Sequence, residues 1–169
     1  MSDVPVATAS QTVGPFFHFA LVDQRLGHLS GRLPAGEQIR LLIVVTDGDG
    51  LPVSDALVEI LQSGVFGRMP TDENGACEFD TMRPGSIAAP SADDAPHIDV
   101  CLFARGLLRQ LHTRIYFAGD PAVTEDPTLA LLAAARRETL LARPDGTTAD
   151  GWVFQLRLQG PQETVFFDV

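Results

Sequence analysis

The 169-residue sequence lacks lysine, so all 12 of its basic residues are arginine, against 22 acidic residues and a net charge of −10. A chain this acidic is poorly suited to nucleic acid, because phosphate binding requires clustered cations. Tyrosine is nearly absent as well. Tyr116 is the single tyrosine, although the chain carries 10 phenylalanines. Any chemistry that needs two phenolates therefore cannot be supplied by this polypeptide alone.

Long apolar runs and cysteines are also scarce. No apolar stretch approaches the roughly 20 residues of a transmembrane helix, and the first residues lack the basic and apolar regions of a secretory signal. Cys77 and Cys101 are too few for a disulfide scaffold, and two reduced thiols are typical of a cytoplasmic protein. With 45% hydrophobic and 20% charged residues, the composition indicates one globular domain over residues 1–169.

What the sequence does contain is a series of short β-type segments. Apolar, β-branched or alternating patterns predict strands at residues 38–46, 57–62, 76–80, 97–104, 112–117, 154–158 and 163–169. Turn-forming sequences follow the first strand and precede the third, and residues 63–75 and 81–96 are predicted to be loops. The expected fold is mainly β, an antiparallel β-sandwich with one short helix in a long connection.

That helix is predicted after Glu125-Asp126-Pro127, in the segment TLALLAAARR. Its residues are good helix formers, and proline suits the first turn of a helix. Acidic residues at the start and Arg136 and Arg137 at the end match the helix dipole.

One candidate site is the pair His97 and Asp99, which share a face of the predicted fourth strand. With His112 they would provide the two-histidine, one-carboxylate set of non-haem Fe(II) oxygenases. If the strands form a hairpin that turns near Gly106, His112 lies opposite Ala104, about two to three residue pairs from Asp99, which is too far for a shared metal. The favoured interpretation is a histidine hydrogen-bonded to a carboxylate in a crevice, while the Fe(II) site stays open to an anaerobic titration.

A second candidate is the N-terminal segment Ser10-Gln11-Thr12-Val13-Gly14-Pro15-Phe16-Phe17. One interpretation is an extended arm whose aromatic residues dock on the domain; the other is a ligand contact, because glycine lets backbone approach closely. Arg105 follows an apolar strand and precedes Gly106, so it is expected where the strand emerges. It is either solvated there or a clamp for a carboxylate, which its planar guanidinium suits.

Several segments together resemble the intradiol ring-cleaving dioxygenases. They are SQTVGPFF, VTDGDGLPVSDALVEILQ, TMRPG, APHIDVCLFARGLLRQLHTRIYFAGD, RRETLLAR and QGPQETVFFDV, which cover nearly the whole chain. LFARG, RRETL and ETVFFD are the most specific, because they match the members' alpha chains and differ from the catalytic relatives.

The resemblance implies a β-sandwich that pairs with a beta chain, with many such pairs in a larger particle. It implies non-haem Fe(III) held by two tyrosinates and two histidines of the beta chain. The implied reaction, in aromatic catabolism through the beta-ketoadipate pathway, cleaves protocatechuate with O2 between its hydroxylated carbons and yields 3-carboxy-cis,cis-muconate. The alpha chain would wall the partner's pocket with an N-terminal arm, residues 1–20, and with substrate-binding positions that match Thr12, Gly14, Pro15 and Arg105.

This sequence departs from the family's iron-binding pattern at each position that can be compared. The histidine pair is reduced to His97, because Asp99 stands in the second place, and Ile87 stands where a tyrosine ligand is expected. The segment after Gln62, where the other tyrosine is expected, is short and contains none. The resemblance therefore implies a chain with no metal site and no catalytic residue of its own, with the iron in the partner.

A binding or carrier module of the transthyretin-like kind is the alternative, because DGDGLPVSDALVEI also suits that group. The N-terminal SQTVGPFF and the C-terminal ETVFFD argue against it.

Overall fold

Strand β1, Gln38–Thr46, shows how the sequence pattern produces the fold. Every second residue of QIRLLIVVT is fully buried, namely Ile39, Leu41, Ile43 and Val45. Side chains of a strand alternate between two faces, so one face of β1 lies against the core. The intervening positions are partly exposed, as the alternation requires.

A computed structural model describes residues 6–85 and 94–168. Within these residues the strands are β1 Gln38–Thr46, β2 Leu57–Gln62, β3 Val65–Pro70, β4 Ala76–Met82, β5 Ile98–Phe103, β6 Leu111–Phe117, β7 Leu141–Pro144 and β8 Gly151–Arg157. The α-helices are α1 Phe17–Leu21, α2 Pro127–Ala130 and α3 Ala134–Arg137. Short 3-10 helices span Gln24–Gly27, Ser30–Arg32, Pro121–Thr124 and Glu138–Leu140. No helix in the described ranges is long and apolar enough to cross a membrane.

The strands form one mixed sheet in the order β3-β2-β5-β6-β7-β8-β1-β4. The edge strands β3 and β4 contact each other, so the sheet is nearly closed. The prediction of a mainly β fold is confirmed, but the prediction that its strands are antiparallel throughout is wrong. β1 runs parallel to β8, and β6 runs parallel to β7, because long connections rather than hairpins join these partners.

The expected two separate sheets are likewise not seen. The short β6–β7 pair joins β3-β2-β5-β6 to β7-β8-β1-β4 in a single series. A common core lies between these two halves, with buried residues from β1, β2, β4, β5, β6 and β8. Phe117 and Trp152 pack edge to face in it, with ring centroids 5.0 Å apart, a favourable geometry for aromatic pairs.

The predicted loop at residues 63–75 contains β3, so that prediction is wrong in part. Ser63 and Gly64 both have positive φ angles, 48° and 75°. A two-residue turn of this kind matches the twist of paired strands and returns the chain as a hairpin. β3 therefore pairs antiparallel with β2, although its own sequence, VFGRMP, lacks a clear alternation.

The predicted single helix is two short helices, α2 and α3. Asp126 caps α2, since the Leu129 N–H donates to its carboxylate at 2.7 Å. The chain then tightens, because Leu131 and Leu132 N–H groups donate to carbonyls three residues back. The Arg137 guanidinium donates to the Leu132 carbonyl at 2.9 Å, which satisfies a backbone group released by the break.

The C-terminal segment 163–169 is not the predicted strand over the residues that the structure describes. Its only strand-like pairing in residues 163–168 is an isolated bridge between Phe167 and His112. The Phe167 N–H donates to the His112 carbonyl at 2.8 Å. The segment is therefore attached to β6 by separate hydrogen bonds, this one and a 2.7 Å bond from the Thr113 hydroxyl to the Val165 carbonyl, rather than by a strand ladder.

Candidate functional site

The N-terminal arm meets the loop between β5 and β6 at a hydrogen bond from the Gly106 N–H to the Thr12 hydroxyl, 2.7 Å long. Residues 6–12 of the arm are exposed and have no regular secondary structure. Gly14 and Pro15 are also exposed, and the Phe17 N–H donates to the Gly14 carbonyl where the chain turns into α1.

The loop that receives the arm is shaped by Gly106. Its φ angle is 91°, a conformation that glycine adopts without steric cost. The Leu107 N–H donates to the carbonyl of Ala104, which is buried. The turn therefore projects Arg105 from the end of β5, as its position before a glycine predicted.

Arg105 is paired with an acidic side chain of the same chain. Its Nε donates to a carboxylate oxygen of Asp55, while 59% of the Arg105 side chain stays exposed. Asp55 is less exposed, at 22%. The carboxylate orients the guanidinium and leaves much of its surface open to a second anion.

A shallow cavity of about 200 Å³ lies between arm and loop. Its lining includes Gln11, Val13, Phe103, Leu107 and Leu108. We call Thr12–Pro15, Asp55 and Arg105–Gly106 the arm–loop site. Leu108 is 62% exposed and Phe16 is 74% exposed, so apolar surface borders this site on both sides.

A second group of polar side chains lies on the outer side of β5 and β6. We call Asp94, His97, Asp99, Arg114 and Tyr116 the β5–β6 cluster. His97 is buried; its Nδ1–H donates to the Ala95 carbonyl at 2.7 Å. Among the described residues its Nε2 has no hydrogen-bond partner, and the nearest carboxylate oxygen, of Asp99, lies 3.6 Å away. The predicted hydrogen bond between His97 and Asp99 is therefore not formed.

Arg114 holds this cluster together. Its Nε lies 3.6 Å from Asp99 and a terminal nitrogen lies 4.0 Å from Asp94. The same terminal nitrogen donates to the Tyr116 hydroxyl at 3.5 Å. The guanidinium also lies over the ring of Phe167, 5.7 Å from its centroid, which is within cation–π range. Arg114 thus links β5, β6 and the C-terminal segment.

Tyr116 is fully buried in this cluster. Burial raises the pKa of its phenol to about 12, and the hydrogen bond from Arg114 opposes this rise without cancelling it. The side chain is consequently protonated at neutral pH.

The residues present do not fit the ferric centre that the resemblance attaches to this fold. One tyrosine is available where two are required, and Asp99 stands in place of a histidine. Ile87, the other departure noted in the sequence, lies outside the described residues. Across residues 6–85 and 94–168, no three histidine, cysteine or acidic side chains converge as metal ligands do.

His112 pairs with Cys101, not near Ala104 as predicted, and Asp99 pairs with Arg114. The observed pairs centre the β5–β6 turn between Gly106 and Leu107, and a turn at that point places His112 opposite Cys101, three residues before Ala104. His112 still lies two residues along β6 from Asp99's partner, about 7 Å. The proposed Fe(II) set of His97, Asp99 and His112 is therefore not assembled.

The two cysteines offer no nucleophile. Both are free thiols, and burial raises the pKa of Cys77 to about 12 and that of Cys101 to about 11. The thiolate is the reactive form of cysteine, so both side chains are unreactive at neutral pH.

Thr12 and Arg105 were candidate site residues from the sequence, whereas Asp55 and Arg114 were not. Asp55 lies in the turn before β2, and only the fold brings it to Arg105. Arg114 alternates with apolar residues in β6, which predicts an exposed face rather than a charged cluster. The sequence signal that could have found this cluster is the presence of an acidic residue, Asp99, and a basic residue, Arg114, on two strands that are neighbours along the chain.

Solved structures with the same fold are intradiol dioxygenases. The intradiol ring-cleavage dioxygenase of Tetranychus urticae superposes with a TM-score of 0.64 at 18% identity, over 89% of this chain and 94% of its own. This likeness identifies the fold. No protein-family model matches the sequence.

Proteins with related sequences identify the family more narrowly than the fold does. The chain is 38% identical to the protocatechuate 3,4-dioxygenase alpha chain of Burkholderia cepacia, over 96% of this chain and 97% of the relative. It is 37% identical to the alpha chain of the Pseudomonas putida enzyme, over 95% and 96%. The protocatechuate 3,4-dioxygenase beta chain of Burkholderia cepacia is more distant, at 28% over 92% of this chain and 77% of the relative. The chain belongs to the protocatechuate 3,4-dioxygenase alpha-chain family.

Proposed function

We propose that this chain is the non-iron-binding alpha subunit of a protocatechuate 3,4-dioxygenase. Paired with a beta chain, it takes part in cleaving protocatechuate with O2 between the two hydroxylated carbons, which yields 3-carboxy-cis,cis-muconate. The observation that carries the proposal is the similarity to two alpha chains over at least 95% of the sequence. The more distant match to a beta chain is consistent with two related subunits.

In this proposal Fe(III) is held by the beta chain. The donor set of this chain supports the assignment, because the chain contains a single tyrosine, Tyr116, and that side chain is fully buried. Two tyrosinates are needed for the expected ferric site, and this chain cannot provide them. The chain is therefore an enzyme subunit that is inactive without its partner.

The arm–loop site is the part of this chain that we assign to the substrate pocket. Thr12, Gly14, Pro15 and Arg105 would line the pocket from the alpha side. Protocatechuate carries a carboxylate, and the exposed guanidinium of Arg105 is a suitable partner for it. Since the chain carries a net charge of −10, a positive group at the pocket also offsets repulsion of an anionic substrate.

Gly14 supports a close approach to another molecule. A Cβ built at Gly14 meets nothing within 4 Å, so packing inside this chain does not require glycine there. A requirement imposed by a partner or a ligand would be consistent with the residue. The exposed Phe16 and Leu108 supply apolar surface for the beta chain and for assembly of alpha–beta pairs into a larger cytoplasmic particle.

The proposal is tested by producing this chain alone, the beta chain alone and both together. Oxygen uptake with protocatechuate and bound iron are measured for each sample. We expect iron-dependent uptake from the pair, and neither uptake nor stoichiometric iron in this chain alone. Robust iron-dependent uptake by the lone chain would contradict the assignment. The transthyretin-like alternative is not favoured by the relatives found, and it predicts no uptake from the pair.

A further inference from the structure

The turn between β3 and β4 contains Asn74-Gly75, and Asn74 is the single asparagine of the chain. Asn74 is exposed, whereas Gly75 is buried. Asparagine followed by glycine is the pair most open to spontaneous deamidation, because glycine has no side chain to shield its backbone nitrogen. The proposed dioxygenase function makes no use of this turn.

Deamidation of this pair needs only water. The Gly75 nitrogen attacks the side-chain carbonyl carbon of Asn74, and a C–N bond forms. The nitrogen gives its proton, by way of solvent, to the ammonia that leaves. Water then opens the resulting five-membered succinimide at either of its two carbonyl carbons. The products are aspartate and isoaspartate, and nothing is oxidised or reduced.

Asp72 engages both groups that would react. The Gly75 N–H donates to the Asp72 backbone carbonyl at 2.9 Å, and the Asn74 side-chain amide donates to the Asp72 carboxylate at 3.4 Å. The backbone N–H groups of Asn74 and Ala76 donate to the same carboxylate, both at 2.9 Å. The bond from Ala76, ahead of those from Asn74, holds the pKa of the Asp72 carboxyl below its ordinary value. The Gly75 nitrogen is thus free to attack only after the turn opens.

Gly75 is also fixed against β1. Its carbonyl accepts a hydrogen bond from the Val45 N–H at 2.8 Å, and its φ angle is 71°. A Cβ built at Gly75 would overlap the Val45 carbonyl oxygen and lie 3.0 Å from the Val53 nitrogen. Isoaspartate lengthens the backbone by one methylene group next to this position, and close-packed surroundings have no room for it. The isoaspartate product therefore cannot keep Gly75 in place between β1 and β4.

The turn at residues 47–51 shows which product the fold accepts. The Asp49 N–H donates to the Asp47 carboxylate at 2.9 Å, as the Asn74 N–H does to its own turn aspartate. The Gly50 N–H donates to the Asp47 carbonyl at 3.2 Å, and the φ angle of Gly50 is 81°. Asp49 stands in this turn where Asn74 stands in the other. An aspartate at position 74 therefore suits the turn, whereas an isoaspartate does not.

We propose that Asn74-Gly75 is a latent deamidation site, which Asp72 keeps unreactive while the chain is folded. A chain that unfolds loses the hydrogen bonds of this turn and reacts. Isoaspartate then hinders refolding, because it displaces Gly75 from β1, whereas aspartate does not. The modification thus records the time that a chain has spent unfolded. This inference concerns the chain by itself and does not depend on its proposed role as a dioxygenase subunit.

The experiment uses the full chain as wild type, Asp72→Ala and Asp72→Ser, with Asp145→Ala as the matched control. Asp145 accepts the backbone N–H groups of Thr147 and Thr148 in the turn between β7 and β8, so its loss removes a comparable pair of bonds elsewhere. Each folded protein is incubated at mildly alkaline pH, and wild type is also incubated in denaturant. Circular dichroism checks folding. Peptide mass spectrometry measures the conversion of asparagine, and enzymatic methylation measures isoaspartate.

We expect wild type in denaturant to deamidate about tenfold or more faster than folded wild type, because the turn is open there. Folded Asp72→Ala should deamidate about tenfold faster than folded wild type, since it loses its side-chain acceptor. Asp72→Ser should lie between them, and Asp145→Ala should match wild type. The proposal is overturned if folded and denatured wild type react equally fast, if folded Asp72→Ala reacts no faster than wild type, or if Asp145→Ala accelerates as much.

A measurement on wild type decides the question if Asp72→Ala fails to fold. Urea below the unfolding transition should accelerate hydrogen exchange of the Gly75 amide and deamidation in the same proportion, because both need this N–H released. Deamidation that stays constant while exchange accelerates would contradict the proposal. Asn74→Asp should unfold at nearly the wild-type temperature, and the purified isoaspartate product at a clearly lower one. Equal unfolding temperatures for all three would contradict the predicted effect of isoaspartate.

Discussion

The Gly106 N–H donates a 2.7 Å hydrogen bond to the Thr12 hydroxyl, although the two residues are 94 positions apart in the sequence. This contact fastens the arm to the loop that carries Arg105. The Gly106 backbone can present its N–H in this direction because its φ is 91°, a value that disfavours other residues. The arm and Arg105 therefore belong to one site.

Replacing Thr12 by valine should release the arm while preserving side-chain volume. One net hydrogen bond contributes ~1 kcal/mol, so hydrogen exchange of the Gly106 amide should accelerate about fivefold. The alpha–beta enzyme should show a lower kcat/KM with protocatechuate. Thr12→Ser retains the hydroxyl and should behave as wild type. Equal exchange rates in both variants would argue against the contact.

Arg105→Ala should weaken protocatechuate binding in the alpha–beta enzyme, because the substrate carboxylate loses a charged partner. We expect KM to rise about tenfold, in line with the loss of a charge-assisted hydrogen bond. The ferric-tyrosinate colour should persist, since the iron ligands belong to the beta chain in our proposal. Steady-state oxygen uptake and visible absorption measure the two effects.

Asp55→Asn is the companion to that variant. It keeps Arg105 but removes the carboxylate that orients it, so a smaller rise in KM is expected. If KM is unchanged in both variants, Arg105 does not contact the substrate.

The variant Gly14→Ala tests whether Gly14 is needed for packing within this chain or for a contact with another molecule. An added Cβ meets nothing within 4 Å at Gly14, and the same is true at Gly31. Thermal unfolding should be nearly unchanged in both alanine variants. Only Gly14→Ala should lower the activity of the alpha–beta enzyme, by a factor of several, because a methyl group would intrude where a ligand or partner approaches. Activity losses of equal size in both variants would indicate a general effect of alanine.

Tyr116 offers a clean titration, because it is the only tyrosine of the chain. Absorbance at the phenolate wavelength should change with a midpoint at about 12 rather than the ordinary 10. The folded state favours the neutral phenol, so its stabilising effect is complete below pH 10. That effect is lost as the pH rises from about 10 through 12.

Tyr116→Phe removes the chromophore and should abolish this spectral change. A midpoint near 10 in the folded wild type would show that the phenol is solvated. Unfolding by denaturant should return the midpoint to that ordinary value, which provides an internal reference.

Local sequence patterns predicted most of the strands. The features that they did not predict depend on pairing between residues far apart in the sequence. β1 and β2 have the predicted bounds, because alternation and β-branched residues are local signals. β3 depends on the Ser63-Gly64 turn and on pairing with β2, so its own six residues did not predict a strand. The parallel neighbours of β1 and β6 depend on connections that no local pattern encodes.

The candidate site was likewise predictable from the sequence only in part. The resemblance pointed to Thr12 and Arg105, and the fold places their neighbourhoods together. Asp55, 50 positions from Arg105, had no sequence signal of its own. Tyr116 was informative as a count, whereas its burial and raised pKa follow only from the packing around it.

The pairing of β1 with β8 has a consequence for the synthesis of the chain. Arg40 and Asp150, 110 positions apart, form an ion pair where these two strands begin. β1 therefore stays an unprotected edge on one side until the residues of β8 have left the ribosome. Unpaired edges promote wrong association, and late, non-local pairing slows folding. The nascent subunit should thus depend on chaperones or on prompt capture by its partner more than a hairpin-built domain of equal size.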